Sequence, residues 1–240
     1  MVKHFLLELF FPSFCVGCQQ EGTFLCQDCK ATLEISEYVY CLCNKNPLRL
    51  AQNELKGKCS RCQDRKLSGL FFALPYKEKF LTRKLIHQFK YEPHIIKELA
   101  KSLAEILLEH FMLIGKTAPA NWENAVLVAV PLQIKKLKSR GYNQSEELAK
   151  ELSKRLSVPV ITDNLIKIKK THSQMELSAI ERAENVKDAF LIKKPAGLAG
   201  KKIFLVDDVY TTGSTMEECA RVLRNAGAKH IFGITIAREG

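Results

Sequence analysis

The segment 203–215 restricts the fold more than any other part of the chain. Ile203-Phe204-Leu205-Val206 is an uninterrupted apolar run that leads through Asp207-Asp208 into Thr211-Thr212-Gly213-Ser214-Thr215. Met216, Cys219, Ala220 and Leu223 then recur at helical spacing, Gly227 stops the helix, and residues 230–237 read as another strand. A strand apolar on both faces belongs inside a parallel sheet, and strand, helix, strand in this order predicts a right-handed crossover. The fold class is therefore α/β, a parallel sheet flanked by helices.

Upstream residues extend the pattern. Residues 125–130, closed by Pro131, predict a second buried strand. Asn143 with Glu146 three residues later predicts the start of a helix that runs to about Leu156 and ends at Val158-Pro159. Residues 80–91 and 95–113 have the apolar spacing of one-faced helices, the second through Ile96, Leu99, Ala100, Leu103, Ile106, Leu107 and Phe111. Residues 193–200 resemble a flexible insertion.

A small-residue loop that leaves a parallel strand and opens a helix points backbone N–H groups, and the positive end of the helix dipole, at one spot. That geometry suits a phosphate. Thr211, Thr212, Ser214 and Thr215 add hydroxyl donors, and Gly213 lets the backbone come close. Asp207 and Asp208 stand where carboxylates can accept hydrogen bonds from vicinal sugar hydroxyls and face positive charge developing at an anomeric carbon. The loop lacks the Gly-Lys-Ser/Thr ending of a nucleoside-triphosphate loop and the spaced glycines of a dinucleotide turn, which excludes both.

Eight of the nine cysteines lie between Cys15 and Cys62, which divides the chain into a cysteine-rich module over residues 1–69 and an α/β domain over 70–240. Cys15-x-x-Cys18 and Cys26-x-x-Cys29 have the spacing of zinc half-sites. Cys41-x-Cys43 with Cys59-x-x-Cys62 would form a second set, with Cys41 and Cys43 one residue closer than usual. The module holds one or two structural Zn²⁺ ions, with sequential or interleaved pairing both open. Cys219 is read as core. The apolar lead, residues 5–14, is too short to span a bilayer, is interrupted by Glu8 and Pro12, and has no cleavage site, so neither a signal peptide nor a membrane span is expected.

Lys and Arg number 37 against 26 Asp and Glu, a balance that favours anionic partners. Lys135, Lys136, Lys138 and Arg140 cluster shortly after the first predicted sheet strand. They have two candidate tasks: Arg140 neutralising pyrophosphate through its planar fork, or the lysines tracking a nucleic-acid backbone with Lys167, Lys169, Lys170, Lys193 and Lys194. Tyr142, Phe89 and Tyr91 are candidate stacking surfaces for unpaired bases. His172 is a lone loop histidine with no evident catalytic setting.

The segment 203–215 resembles the signature of type I phosphoribosyltransferases. That resemblance implies a site for the ribose and 5-phosphate of phosphoribosyl diphosphate (PRPP), with Mg²⁺ on its pyrophosphate and Asp207 and Asp208 as the catalytic carboxylates. Val130-Pro131-Leu132, Lys138-Ser139-Arg140-Gly141-Tyr142-Asn143-Gln144, the set Gln174, Leu177, Arg182, Asn185, Val186, Ala189 and Phe190, and residues 86–91 are similar to the ComF family. With the cysteine module, the resemblance covers nearly the whole chain. It implies a role in natural transformation, with single-stranded DNA handled in the cytosol beside the inner-membrane uptake machinery. It also implies that residues 167–190 correspond to the loop that closes over the reacting centre. An active transferase with an unknown acceptor is the alternative.

Overall fold

The computed structural model describes residues 12–51, 57–77, 79–91, 95–117, 119–171 and 178–239. Most of the apolar lead, together with His172, Gln174 and Leu177, lies outside the described residues. In chain order the elements are α1 (Gln27–Ala31), β1 (Val39–Tyr40), β2 (Arg49–Leu50), a 3-10 turn (Ser60–Cys62), β3 (Gly69–Pro75), α2 (Phe80–Lys90) and α3 (Leu99–Leu113). They continue with α4 (Pro119–Trp122), β4 (Ala125–Ala129), α5 (Ile134–Arg140), α6 (Gln144–Leu156), β5 (Val160–Ile161) and β6 (Leu165–Lys167). The last are α7 (Ala179–Val186), β7 (Phe190–Ile192), β8 (Lys202–Tyr210), α8 (Ser214–Asn225) and β9 (His230–Arg238). No helix among the described residues is long and apolar enough to cross a membrane.

One seven-stranded sheet runs β2-β1-β3-β9-β8-β4-β5. The pairings from β3 to β5 are parallel, while β1 joins both β2 and β3 antiparallel. The alternation of β8 explains its central place. Phe204 and Val206 pack on one face with Leu85, Phe89, Leu107 and Leu148, whereas Ile203 and Leu205 pack on the other with Met216, Cys219 and Leu223. Apolar burial on both faces drives this arrangement at about 25 cal/mol for each Å² removed from water. Cys219 is fully buried, in agreement with its reading as core.

Several boundaries differ from expectation, each for a local reason. Strand β8 runs past Val206 because Asp207, Val209 and Tyr210 keep their register with Thr235, Ala237 and Arg238 of β9. Helix α3 starts at Leu99, after Ile96 N–H has donated to the Gln88 carbonyl at 2.8 Å and tied the preceding turn to α2. The segment 193–200 contains a 3-10 turn (Pro195–Gly197) and a buried Leu198, so it is anchored to the core. The ends of segment 167–190 are strands: β6 pairs antiparallel with β7, and α7 between them is capped by Ser178 and Glu181.

The cysteine-rich segment shares its cores with the α/β unit. Val16 and Leu25 belong to the cluster around α2 and α3, and Leu42 and Leu67 belong to the cluster around α8. Strand β1 extends the central sheet itself.

Candidate functional site

Helix α6 follows β4 on one face of the sheet and α8 follows β8 on the other, so the chain diverges at the C-terminal ends of these two neighbouring strands. In open parallel sheets such a divergence leaves a crevice that binds ligands. Here it is a cleft of about 1100 Å³ whose lining includes Asp207, Asp208 and every residue from Thr211 to Thr215. The geometry of the loop is set by Gly213. Its φ is +78°, and a Cβ added there would collide with the Tyr210 ring, so both conformation and space demand glycine. The Thr212 and Ser214 hydroxyls lie 2.8 Å apart, at the start of α8.

The acidic pair is held from three elements. Lys90 Nζ, at the end of α2, donates to Asp208 Oδ1 at 2.8 Å, and Gln144 Nε2, at the start of α6, donates to Asp208 Oδ2 at 2.7 Å. Ser145 Oγ donates to Asp207 Oδ1 at 2.9 Å, and the Asp208 backbone N–H donates to the same oxygen at 2.9 Å. Asn143 makes this possible by capping α6, accepting from Ser145 N–H and donating through Nδ2 to the Val130 carbonyl, which pins the helix start beside β4. Burial, and then the charge of Asp208, push the Asp207 carboxyl up to about 7. Burial opposes the charge of Lys90, but Asp208 outweighs it and holds the ammonium above its ordinary range.

The elevation of Asp207 has a definite consequence for stability. Its folded pKa lies above the unfolded value, so folding takes up a proton and stability falls as pH rises from about 4 to 7. Asp207→Asn removes that penalty. Its Tm is expected to exceed the parent's by about 5 °C at pH 8 and to match it near pH 4, as measured by scanning calorimetry.

The basic cluster divides. Lys136 lines the cleft with Lys90 and Lys167, whereas Lys135, Lys138 and Arg140 are not among its lining residues. Arg140 instead donates to Gln144 Oε1, with its guanidinium 5.7 Å from the Tyr91 ring, so it reaches Asp208 through Gln144. Tyr142 corrects its expected stacking role. It is 8% exposed and its hydroxyl donates to the Phe89 carbonyl at 2.7 Å, while Phe89 itself is fully buried, so neither offers a face to a base. Tyr91 is exposed.

Sequence reasoning missed Lys90, Gln144 and Ser145 as supports of the acidic pair. The signal for Lys90 was a charge adjoining the apolar positions Leu85, Ile86 and Phe89 of α2. Gln144 stood in the segment Lys138 to Gln144 that is similar to the ComF family, and Ser145 had no signal beyond its place at the helix start.

The eight clustered cysteines form two sets in sequential order, Cys15, Cys18, Cys26 and Cys29, then Cys41, Cys43, Cys59 and Cys62, with the Sγ atoms of each set within 4.8 Å of one another. The close spacing of Cys41 and Cys43 does not prevent the second set from forming. The Sγ separations Cys15–Cys26, Cys18–Cys26, Cys43–Cys59 and Cys59–Cys62 are 3.6, 3.6, 3.5 and 3.7 Å. A disulfide needs about 2.0 Å. A tetrahedral Zn²⁺ with bonds of about 2.3 Å holds its thiolates roughly 3.8 Å apart, so both sets fit structural zinc. The first set packs against α2, with Leu81 beside Gly17 and Cys29.

The second set is tied to the loop 211–215. Asn44 Nδ2 donates to the Thr212 carbonyl at 3.0 Å, and Arg65 reaches the same oxygen. Arg238, 1% exposed, donates to the Cys41 and Cys43 carbonyls while lying 5.5 Å from the Tyr210 ring.

Comparison with known proteins agrees with this architecture. Residues 139–239 match the family described as phosphoribosyl transferase domain. The chain is 33% identical over 155 residues to Competence protein F of Haemophilus influenzae, covering 64% of this chain and 66% of that protein. It is 33% identical over 144 residues to DNA utilization protein YhgH of Salmonella typhimurium, covering 60% and 61%. The alignments to these two relatives thus span just under two thirds of their lengths. Competence protein ComFC of Streptococcus pneumoniae is 24% identical over 225 residues, covering 92% of this chain and 90% of that protein.

Proposed function

Because this chain belongs to the ComF family and carries a phosphoribosyl transferase domain, we propose that it is a DNA-uptake protein of natural transformation. In this reading it binds single-stranded DNA on the cytoplasmic side of the membrane, beside the uptake machinery, and holds PRPP in the β8–α8 cleft. The observation that carries the PRPP assignment is the meeting, in one cleft, of the acidic pair and the hydroxyl-rich loop at the start of α8. Asp207 and Asp208 face the ribose hydroxyls, Thr211 to Thr215 receive the 5-phosphate, and Lys136 and Lys167 offset pyrophosphate charge. Mg²⁺ fits this oxygen-rich setting as a partner of the pyrophosphate. Both oxygens of Asp208 already accept hydrogen bonds, so waters and the ligand's own oxygens supply most of its shell.

A second reading is favoured by Asp207. A carboxyl with a pKa of about 7 exchanges protons readily near neutrality. In a transferase the bond from ribose C1 to pyrophosphate breaks with its electron pair leaving on pyrophosphate, a bond from the acceptor to C1 forms, and the acceptor's proton passes to the Asp207 carboxylate.

The test is a titration of labelled single-stranded DNA with the full-length protein at near-physiological salt, with duplex competitor and with or without Mg²⁺-PRPP. Saturable binding that survives duplex competitor is the expected result. Binding that duplex removes would overturn the DNA-handling reading. Release of pyrophosphate with any nucleobase acceptor would favour the transferase.

A further inference from the structure

Helix α2 buries Thr82, Leu85, Ile86 and Phe89 and turns Phe80, Arg83, Lys84 and His87 outward, at helical spacings of three and four, and Tyr91 follows as its C-terminal cap. These last five residues all line the cleft that contains the acidic pair and the loop 211–215. Phe80 is 78% exposed and Tyr91 40% exposed. The His87 and Tyr91 rings pack as a tilted pair, and cations lie near the Phe80 and Tyr91 rings. His87 and Tyr91 have centroids 5.1 Å apart, Lys84 Nζ lies 6.0 Å from the Phe80 ring, and Arg140 and Lys90 lie 5.7 and 5.9 Å from the Tyr91 ring.

We propose that this face of α2 is the track for single-stranded nucleic acid, with Phe80, His87 and Tyr91 stacking on unpaired bases and Arg83 and Lys84 meeting phosphates. The proposal rests on the DNA-handling reading and gives that reading a surface. Alternating rings and cations suit a polyanion with flat, apolar side groups, whereas a protein helix needs a continuous apolar stripe. A duplex keeps its base faces stacked inside and cannot use the rings. From Phe80 to Lys90 the helix rises about 15 Å, room for a few nucleotides leading toward the loop 211–215.

Fluorescence anisotropy with labelled oligo-dT and oligo-rU on the full-length protein tests it, with duplex DNA of the same length as a third arm. Phe80→Ala combined with Tyr91→Ala is expected to weaken single-strand affinity at least tenfold and to leave duplex affinity within twofold. Arg83→Gln with Lys84→Gln is expected to reduce the slope of log affinity against log salt by about 1.4, the value for two phosphate contacts on a single strand. Lys135→Gln with Lys138→Gln should change the affinity less than twofold. All variants should keep the parent's circular dichroism spectrum and Tm, which report an intact fold. Parental single-strand affinity in the α2 variants would overturn this surface and leave the DNA-handling reading standing. No single-strand preference in the parent would overturn both. Equal strength with oligo-dT and oligo-rU would support recognition through bases and phosphates, while an equal loss toward duplex in the aromatic variant would overturn stacking.

Discussion

Asp208→Ala is expected to lower the unfolding free energy by about 3 kcal/mol and to abolish PRPP binding. The carboxylate is nearly buried and accepts from both Lys90 and Gln144. Removing one partner of a recessed ion pair leaves the other charge without compensation, at a cost of about 3–5 kcal/mol, and the partial exposure of Lys90 places this case at the lower end. Denaturant unfolding measures the first effect and calorimetric titration with Mg²⁺-PRPP the second. Adding Lys90→Met to Asp208→Ala should recover much of the stability, because the orphaned ammonium is gone, without recovering ligand binding. Recovery of binding in the double variant would show that Asp208 serves only to neutralise Lys90.

Serine at Cys43 is expected to cost one zinc ion per chain and at least tenfold in PRPP affinity. Serine at Cys18 should cost the same amount of metal and leave PRPP affinity within about threefold. The difference follows from what each set of thiolates supports. The turn that carries Cys41 and Cys43 also carries Asn44, which holds the Thr212 carbonyl of the loop 211–215, and its own carbonyls are gripped by Arg238 against Tyr210. Tyr210 in turn fills the space that Gly213 leaves open. Zinc binding contributes about 10–16 kcal/mol in small zinc modules, so losing a ligand releases this turn and with it the loop. The first set braces α2 instead. Metal analysis beside calorimetric titration decides the point, and equal losses of PRPP affinity in the two variants would refute the assignment of the second set to the loop.

The local signals in the chain were strong where a pattern repeats over short range. The apolar run before Asp207, the small residues after Tyr210, the Asn143 cap and the cysteine spacing each depend on neighbours within a few positions, so strand, small-residue loop, helix start and cysteine half-sites were legible from residue order. Asp207, Asp208 and the segment 211–215 were named from it, and they meet in one cleft.

Other features were decided by contacts between distant segments. Lys90 reaches Asp208 across 118 positions and Asn44 reaches Thr212 across 168, separations at which no periodicity carries information. The aromatic residues show the same division. Phe89 and Tyr91 are two positions apart and equally suited to a base by residue type, but Phe89 lies on the inward face of α2 and is buried, whereas Tyr91 caps the helix in extended backbone and is exposed. Tyr142 lay close to a basic cluster in the chain, yet its hydroxyl is drawn to the Phe89 carbonyl inside the core. Residue order by itself determined the α/β elements, the small-residue loop after the acidic pair and the cysteine half-sites, because these are written in local hydrogen bonding and side-chain spacing, while the sequential pairing of the half-sites came from the tertiary structure. Only the tertiary structure decided which charges support the acidic pair, which rings face solvent and which metal set braces the loop, because those depend on burial and on partners that folding brings together.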